Sequence, residues 1–73
     1  MSIIPILSAR EVLRRLQRAG FHIVGYKGSH AKLYNPATDK RTGVPIHPGD
    51  LGRKLITEIL KQAGIKPKDF LKL

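Results

Sequence analysis

Apolar residues recur at helical spacing in two stretches of the chain and at alternating positions between them. In the first stretch Ala9, Val12, Leu13, Leu16 and Ala19 fall within one arc of about 120°, and Arg10, Arg14, Arg15 and Arg18 fall on the opposite one. Ser8 and Glu11 have the spacing of a capping box, with Ser8 as the cap and Glu11 reaching back. Gly20 supplies the left-handed turn that stops the helix. Phe21 to Tyr26 is rich in β-formers and too short for another helix, so it reads as a strand. Lys27-Gly28-Ser29 reads as a turn. His30-Ala31-Lys32-Leu33-Tyr34 then alternates polar and apolar, as a half-buried strand does. Asn35 to Lys40 has the composition of a loop. Arg41 to His47 is a third extended run, and Pro45, which cannot donate a ladder hydrogen bond, marks it as an edge strand.

Pro48-Gly49-Asp50 breaks the chain again, with Asp50 as the expected cap of a second helix. Leu51, Leu55, Ile56, Ile59, Leu60 and Ala63 share one face of that helix, Arg53, Lys54, Thr57, Glu58 and Lys61 share the other, and Gly64 ends it. The tail predicts one more turn, with Phe70 and Leu71 packed back onto the body. The order α-β-β-β-α predicts a single α+β domain over residues 1–73, a three-stranded antiparallel meander with both apolar helix faces on one side. With Ala31, Leu33, Val44 and Ile46 pointing into the helices, His30, Lys32, Tyr34, Pro45 and His47 point outward. The hairpin closed by the loop at 35–40 would make His30 and His47 near cross-strand neighbours, with Lys32 beside them and Lys27 at the mouth of the preceding turn.

Composition narrows the classes of function. A chain of 73 residues hides only about 60% of the surface its unfolded form exposes, which leaves little room for a deep cavity, and no cofactor is expected. At 41% hydrophobic it still builds a core and is not a disordered basic tail. Fourteen Lys and Arg against five Asp and Glu give a net charge of +9, and the partner class that this charge suits is polyanionic. The absence of cysteine excludes a disulfide framework, a thiolate zinc site and a cysteine nucleophile. The apolar run Met1 to Leu7 is short, lacks a basic flank and contains Pro5, so neither a signal peptide nor a membrane partner is expected and the cytoplasm is the default location.

Two imidazoles beside ammonium groups on a basic surface suit phosphodiester cleavage. RNA supplies its own nucleophile in the 2′-hydroxyl, so the protein need only move two protons and stabilise charge at phosphorus. Histidine titrates near neutral pH and serves either proton role. Lys27, Lys32 and the backbone N–H groups of Gly28 and Ser29 are candidates to hold the phosphoryl oxygens. His22 is explained by its strand position without a function, and an arginine stripe on a helix is most often a solvated face. No carboxylate or third histidine sits at a convincing spacing from His30 and His47, so no metal is expected. On residues alone, nucleic-acid binding is favoured over catalysis. A non-catalytic RNA-binding module and a basic protein-interaction domain both stay open.

Glu11-Val12-Leu13 through Ala19-Gly20-Phe21, Lys27-Gly28-Ser29-His30, Val44-Pro45-Ile46-His47, Ile59 to Ile65 and Asp69-Phe70-Leu71 follow one another in an order that resembles the HicA toxin family. These are the HicA/YcfA-like mRNA interferases of toxin–antitoxin pairs. The resemblance implies a double-stranded-RNA-binding-domain-like fold and a metal-independent endoribonuclease acting on mRNA. It places the family's catalytic histidine at His30 and implies a HicB-type antitoxin as protein partner. His47 and Lys27 are further candidates at the site. The chain departs from the family's pattern at Gly25-Tyr26, where Arg-Gln is frequent, and at Lys54, where the last helix often begins with glycine.

Overall fold

Ser8 starts the first helix as its spacing predicts: its Oγ accepts a hydrogen bond from the Glu11 N–H at 3.1 Å, and α1 runs over Ala9–Arg18. The computed structural model describes residues 4–46 and 49–73. Glu11 does not reach back to the cap. Its carboxylate is taken by Arg14 at 2.6 Å and Arg15 at 2.8 Å, because guanidinium partners one turn on offer charge-assisted bonds that a single backbone N–H cannot match. Ala9, Val12 and Leu16 are buried on the opposite side, as the periodicity predicts.

The helix ends at Gly20, whose φ of +107° suits a residue without Cβ. The Gly20 N–H bonds to the Gln17 carbonyl and the Phe21 N–H to the Leu16 carbonyl, which satisfies two carbonyls of the last turn. Strands β2 (His22–Lys27), β3 (His30–Asn35) and β4 (Lys40–Pro45) form an antiparallel sheet in the order β2-β3-β4. Helix α2 (Arg53–Ala63) ends at Gly64 and buries Ile56, Ile59, Leu60 and Ala63, and the short α3 (Pro67–Phe70) follows. Both longer helices lie against the face that carries Ala31, Leu33 and Val44, so the predicted α+β meander with one uncovered face is the observed one.

Four local expectations are corrected. Asp50 does not cap α2. Asp50–Leu51 forms a two-residue strand, β5, paired with β1 (Leu7–Ser8) through Leu7↔Leu51 and Ser8↔Asp50, so the helix starts only after Gly52. Leu51 is buried from that strand, and Leu55 is 38% exposed. On β4 the inner positions are Thr42 and Val44. Ile46 lies past the strand end and is 37% exposed; Pro45 stands opposite His30 on the outer side, as predicted, and is nonetheless buried. Thr42 is accepted in the core because its hydroxyl donates to the Ile59 carbonyl at 3.2 Å and lies 3.0 Å from Gln62 Oε1.

Phe70 is fully buried, as the tail pattern predicts, while Leu71 stays 37% exposed. Arg15, expected on the solvent side of α1, reaches across instead. Its Nη1 donates to the carbonyls of Phe70 and Leu71, both at 3.2 Å, and its guanidinium lies 5.5 Å from the Phe70 ring centroid. The helix-borne basic stripe is therefore smaller than the sequence suggests: Arg15 is committed to structure, and Arg14 shares the Glu11 carboxylate.

Candidate nucleic-acid interface

The uncovered sheet face is assembled by strand register. Residues directly opposite one another in adjacent strands share a face, so the pairing defines three rows of side chains. Lys27, His30 and Pro45 form the row next to the β2–β3 turn. Gly25, Lys32 and Gly43 form the middle row, and His22, Tyr34 and Arg41 the far row. Ala31 and Leu33 alternate with these positions along β3 and are buried, while His30 and Lys32 are exposed.

The turn that presents His30 has two central residues, Gly28 and Ser29. Gly28 has φ +59°, and no residue other than Asp39 and glycines has positive φ, which is the pattern of a type II′ hairpin among the described residues. A Cβ at Gly28 would meet nothing within 4 Å, so the glycine is required by its backbone angle and not by space. The Ser29 carbonyl accepts the Ile46 N–H at 2.6 Å, which ties the turn to the chain leaving β4. Lys27 and His30 flank the turn as a directly opposed pair, with Cβ atoms about 5 Å apart by strand geometry. Lys32 stands about 7 Å further along β3. Glycine on each side of it leaves a bare strip of backbone that a phosphate chain can approach.

Lys27, Gly28, Ser29, His30 and Lys32 thus come together on one hairpin. His47 lies outside the described residues. The residue paired with His30 is Pro45, two positions earlier than the expected neighbour, because the register that closes the hairpin, Tyr34↔Arg41, counts back from His30 to Pro45. Among the described residues no three His, Cys, Asp or Glu side chains gather as a ligand set for a metal ion.

The far row contains residues to which sequence reasoning gave no role. A bulge at Val24 inserts one residue between the pairs Ile23↔Leu33 and Gly25↔Lys32. Without it His22 would fall on the helix side; with it, His22 sits opposite Tyr34 on the open face. The Tyr34 hydroxyl donates to Asp39 Oδ1 at 2.8 Å, and the Arg41 guanidinium lies 4.4 Å from the Tyr34 ring centroid. The hydrogen bond to the Asp39 carboxylate raises the phenol pKa above its usual value. Counting back from the four-residue 36–39 turn is enough to pair Tyr34 with Arg41, but no residue pattern announces the bulge.

A small α+β protein of double-stranded-RNA-binding-domain-like build, with one sheet face uncovered and basic, is the class that this fold and face define. The family model described as HicA toxin of bacterial toxin–antitoxin matches residues 9–65 of the 73 residues, and the chain belongs to that family. The match runs from α1 through α2, includes the Lys27–His30 hairpin, and stops before α3. As a family, HicA toxins are mRNA-cleaving toxins and pair with HicB antitoxins. No curated protein matches the chain. No helix among the described residues is long and apolar enough to cross a membrane.

Proposed function

We propose that the protein is the toxin of a toxin–antitoxin pair and cleaves mRNA on the open sheet face, with His30 as general acid/base. The carrying observation is the position of His30: exposed, directly after a tight turn, opposite Lys27, on the face that the helices leave uncovered. In the proposed reaction the ribose 2′-hydroxyl loses its proton and its oxygen bonds to phosphorus. The bond from phosphorus to the 5′-oxygen breaks, and that oxygen takes up a proton. His30 carries one of these protons, and His47 is the candidate for the other. Lys27 and Lys32, with the N–H groups of Gly28 and Ser29, stabilise the negative charge that builds on the phosphoryl oxygens. Because the nucleophile belongs to the substrate, the step needs no metal. A HicB-type antitoxin would silence the activity by covering His30, and the cytoplasm is where such a substrate is met.

The decisive experiment compares RNA cleavage by the wild type and by His30→Ala in the presence of a chelator. Cleavage should fall by about a hundredfold or more in the variant, while RNA affinity is largely kept. Undiminished cleavage by His30→Ala removes the assignment. RNA that is bound but left whole by the wild type itself identifies a non-catalytic RNA-binding module.

A further inference from the structure

The far row of the open face has a chemistry distinct from the turn end. His22, Tyr34 and Arg41 present an imidazole, a phenol ring and a guanidinium side by side across three strands, about 13 Å along β3 from His30. All three groups are planar and bear π-faces on which a nucleobase stacks. His22 and Arg41 are exposed and Tyr34 is half-buried. We infer that His22, Tyr34 and Arg41 form a base-stacking subsite that takes an unpaired nucleobase of a single-stranded RNA. The inference rests on RNA being the substrate of this face and goes beyond it by naming the strandedness and the residues that read it.

Three features support this assignment. The Tyr34 hydroxyl is held by Asp39 and the Arg41 guanidinium already lies over the ring face, so the stacked pair is preorganised and little freedom remains to be lost when a base lands on it. Asp39 is itself fixed at φ +57° by its N–H bond to the Asn35 carbonyl at 2.8 Å. Lys32 lies between this row and His30 on the bare glycine strip, where the intervening phosphates of an extended strand would pass. A duplex buries its base faces in its own stack and could meet this row only with phosphate and ribose, which gain nothing from planar groups.

A structural role alone, in which Tyr34 and Arg41 merely steady the sheet, is separated by a binding experiment that does not depend on cleavage. The probe is a short single-stranded 2′-O-methyl RNA, whose blocked nucleophile cannot react, used beside the same oligonucleotide lacking its bases and beside its duplex. Arg41→Lys keeps the charge and Tyr34→Leu keeps apolar bulk. Each should weaken binding of the base-bearing strand by about five- to a hundredfold. Binding of the abasic strand should stay within about twofold, and the salt slope of Arg41→Lys should match the wild type. The duplex should bind more weakly than the single strand. Equal losses on the base-bearing and abasic strands, no loss on either, or equal affinity for the duplex overturn the subsite. Because Arg41 is exposed, Arg41→Lys leaves the fold intact, and melting curves check Tyr34→Leu. Base-dependent binding together with undiminished cleavage by His30→Ala would remove only the catalytic assignment. Failure to bind any of the probes would remove both readings.

Discussion

Gly25 and Gly28 sit three residues apart on one strand and its turn, and a Cβ at either would meet nothing within 4 Å. They differ in backbone angle, since only Gly28 has positive φ, at +59°. Gly28→Ala should therefore cost about 1–2 kcal/mol, the penalty of holding an L-residue in the left-handed region. Gly25→Ala should be nearly neutral. Urea midpoints of the two variants give the comparison, and equal midpoints would mean that the turn does not depend on its angle. The same substitution tests how firmly Lys27 and His30 are held opposite each other. Asn35 shows a second residue with two tasks: its side-chain amide donates to the Ala19 carbonyl at 3.4 Å while its Oδ1 accepts the Ala37 N–H at 3.0 Å. One buried side chain thereby closes the end of α1 and shapes the β3–β4 turn.

Helix α1 is an element whose stability depends on acidity. The hydrogen bonds from Arg14 and Arg15 hold the Glu11 carboxyl at about 2, below its usual 4.5. A carboxyl whose pKa is lower in the folded state stabilises fully above its unfolded value, and the contribution disappears as pH falls through the folded one. The advantage of the wild type over Glu11→Gln should thus be constant above about pH 4.5 and vanish near pH 2. Thermal melts of both proteins across that range read it directly, and a difference that persists at pH 2 would assign the effect to packing. The elements themselves were legible because their periods were clean: α1, the three strands and α2 occur in the predicted order, although α2 starts only after Gly52 and β4 ends before Ile46. Pairings between distant segments were not legible. The β1–β5 bridge joins residues far apart in the chain through backbone atoms, which carry no side-chain signature, and it displaced the cap expected at Asp50. The turn end of the candidate site was readable from Lys27 to Lys32 because one hairpin contains it. The far row was not, because it requires the Val24 bulge and a second hairpin in register.

Across the whole molecule, the core is closed by a segment outside the family match. Phe70 is fully buried among residues contributed by the helices and sheet, and Arg15 binds the carbonyls that follow it. Phe70→Ala should cost about 3–5 kcal/mol. For a chain of this length that is a large share of a total stability of about 4–11 kcal/mol, so the variant should be largely unfolded at moderate urea. A denaturation midpoint equal to the wild type would show that α3 does not belong to the cooperative unit. The kink at Val24 matters at this scale too. Among the described residues β2 pairs only with β3, so its other side is an open row of amide donors and acceptors to which a second copy could add itself. The extra residue breaks the even spacing of that row and twists it, so the irregularity that turns His22 toward the open face also makes this edge a poorer template for a strand of a neighbouring molecule.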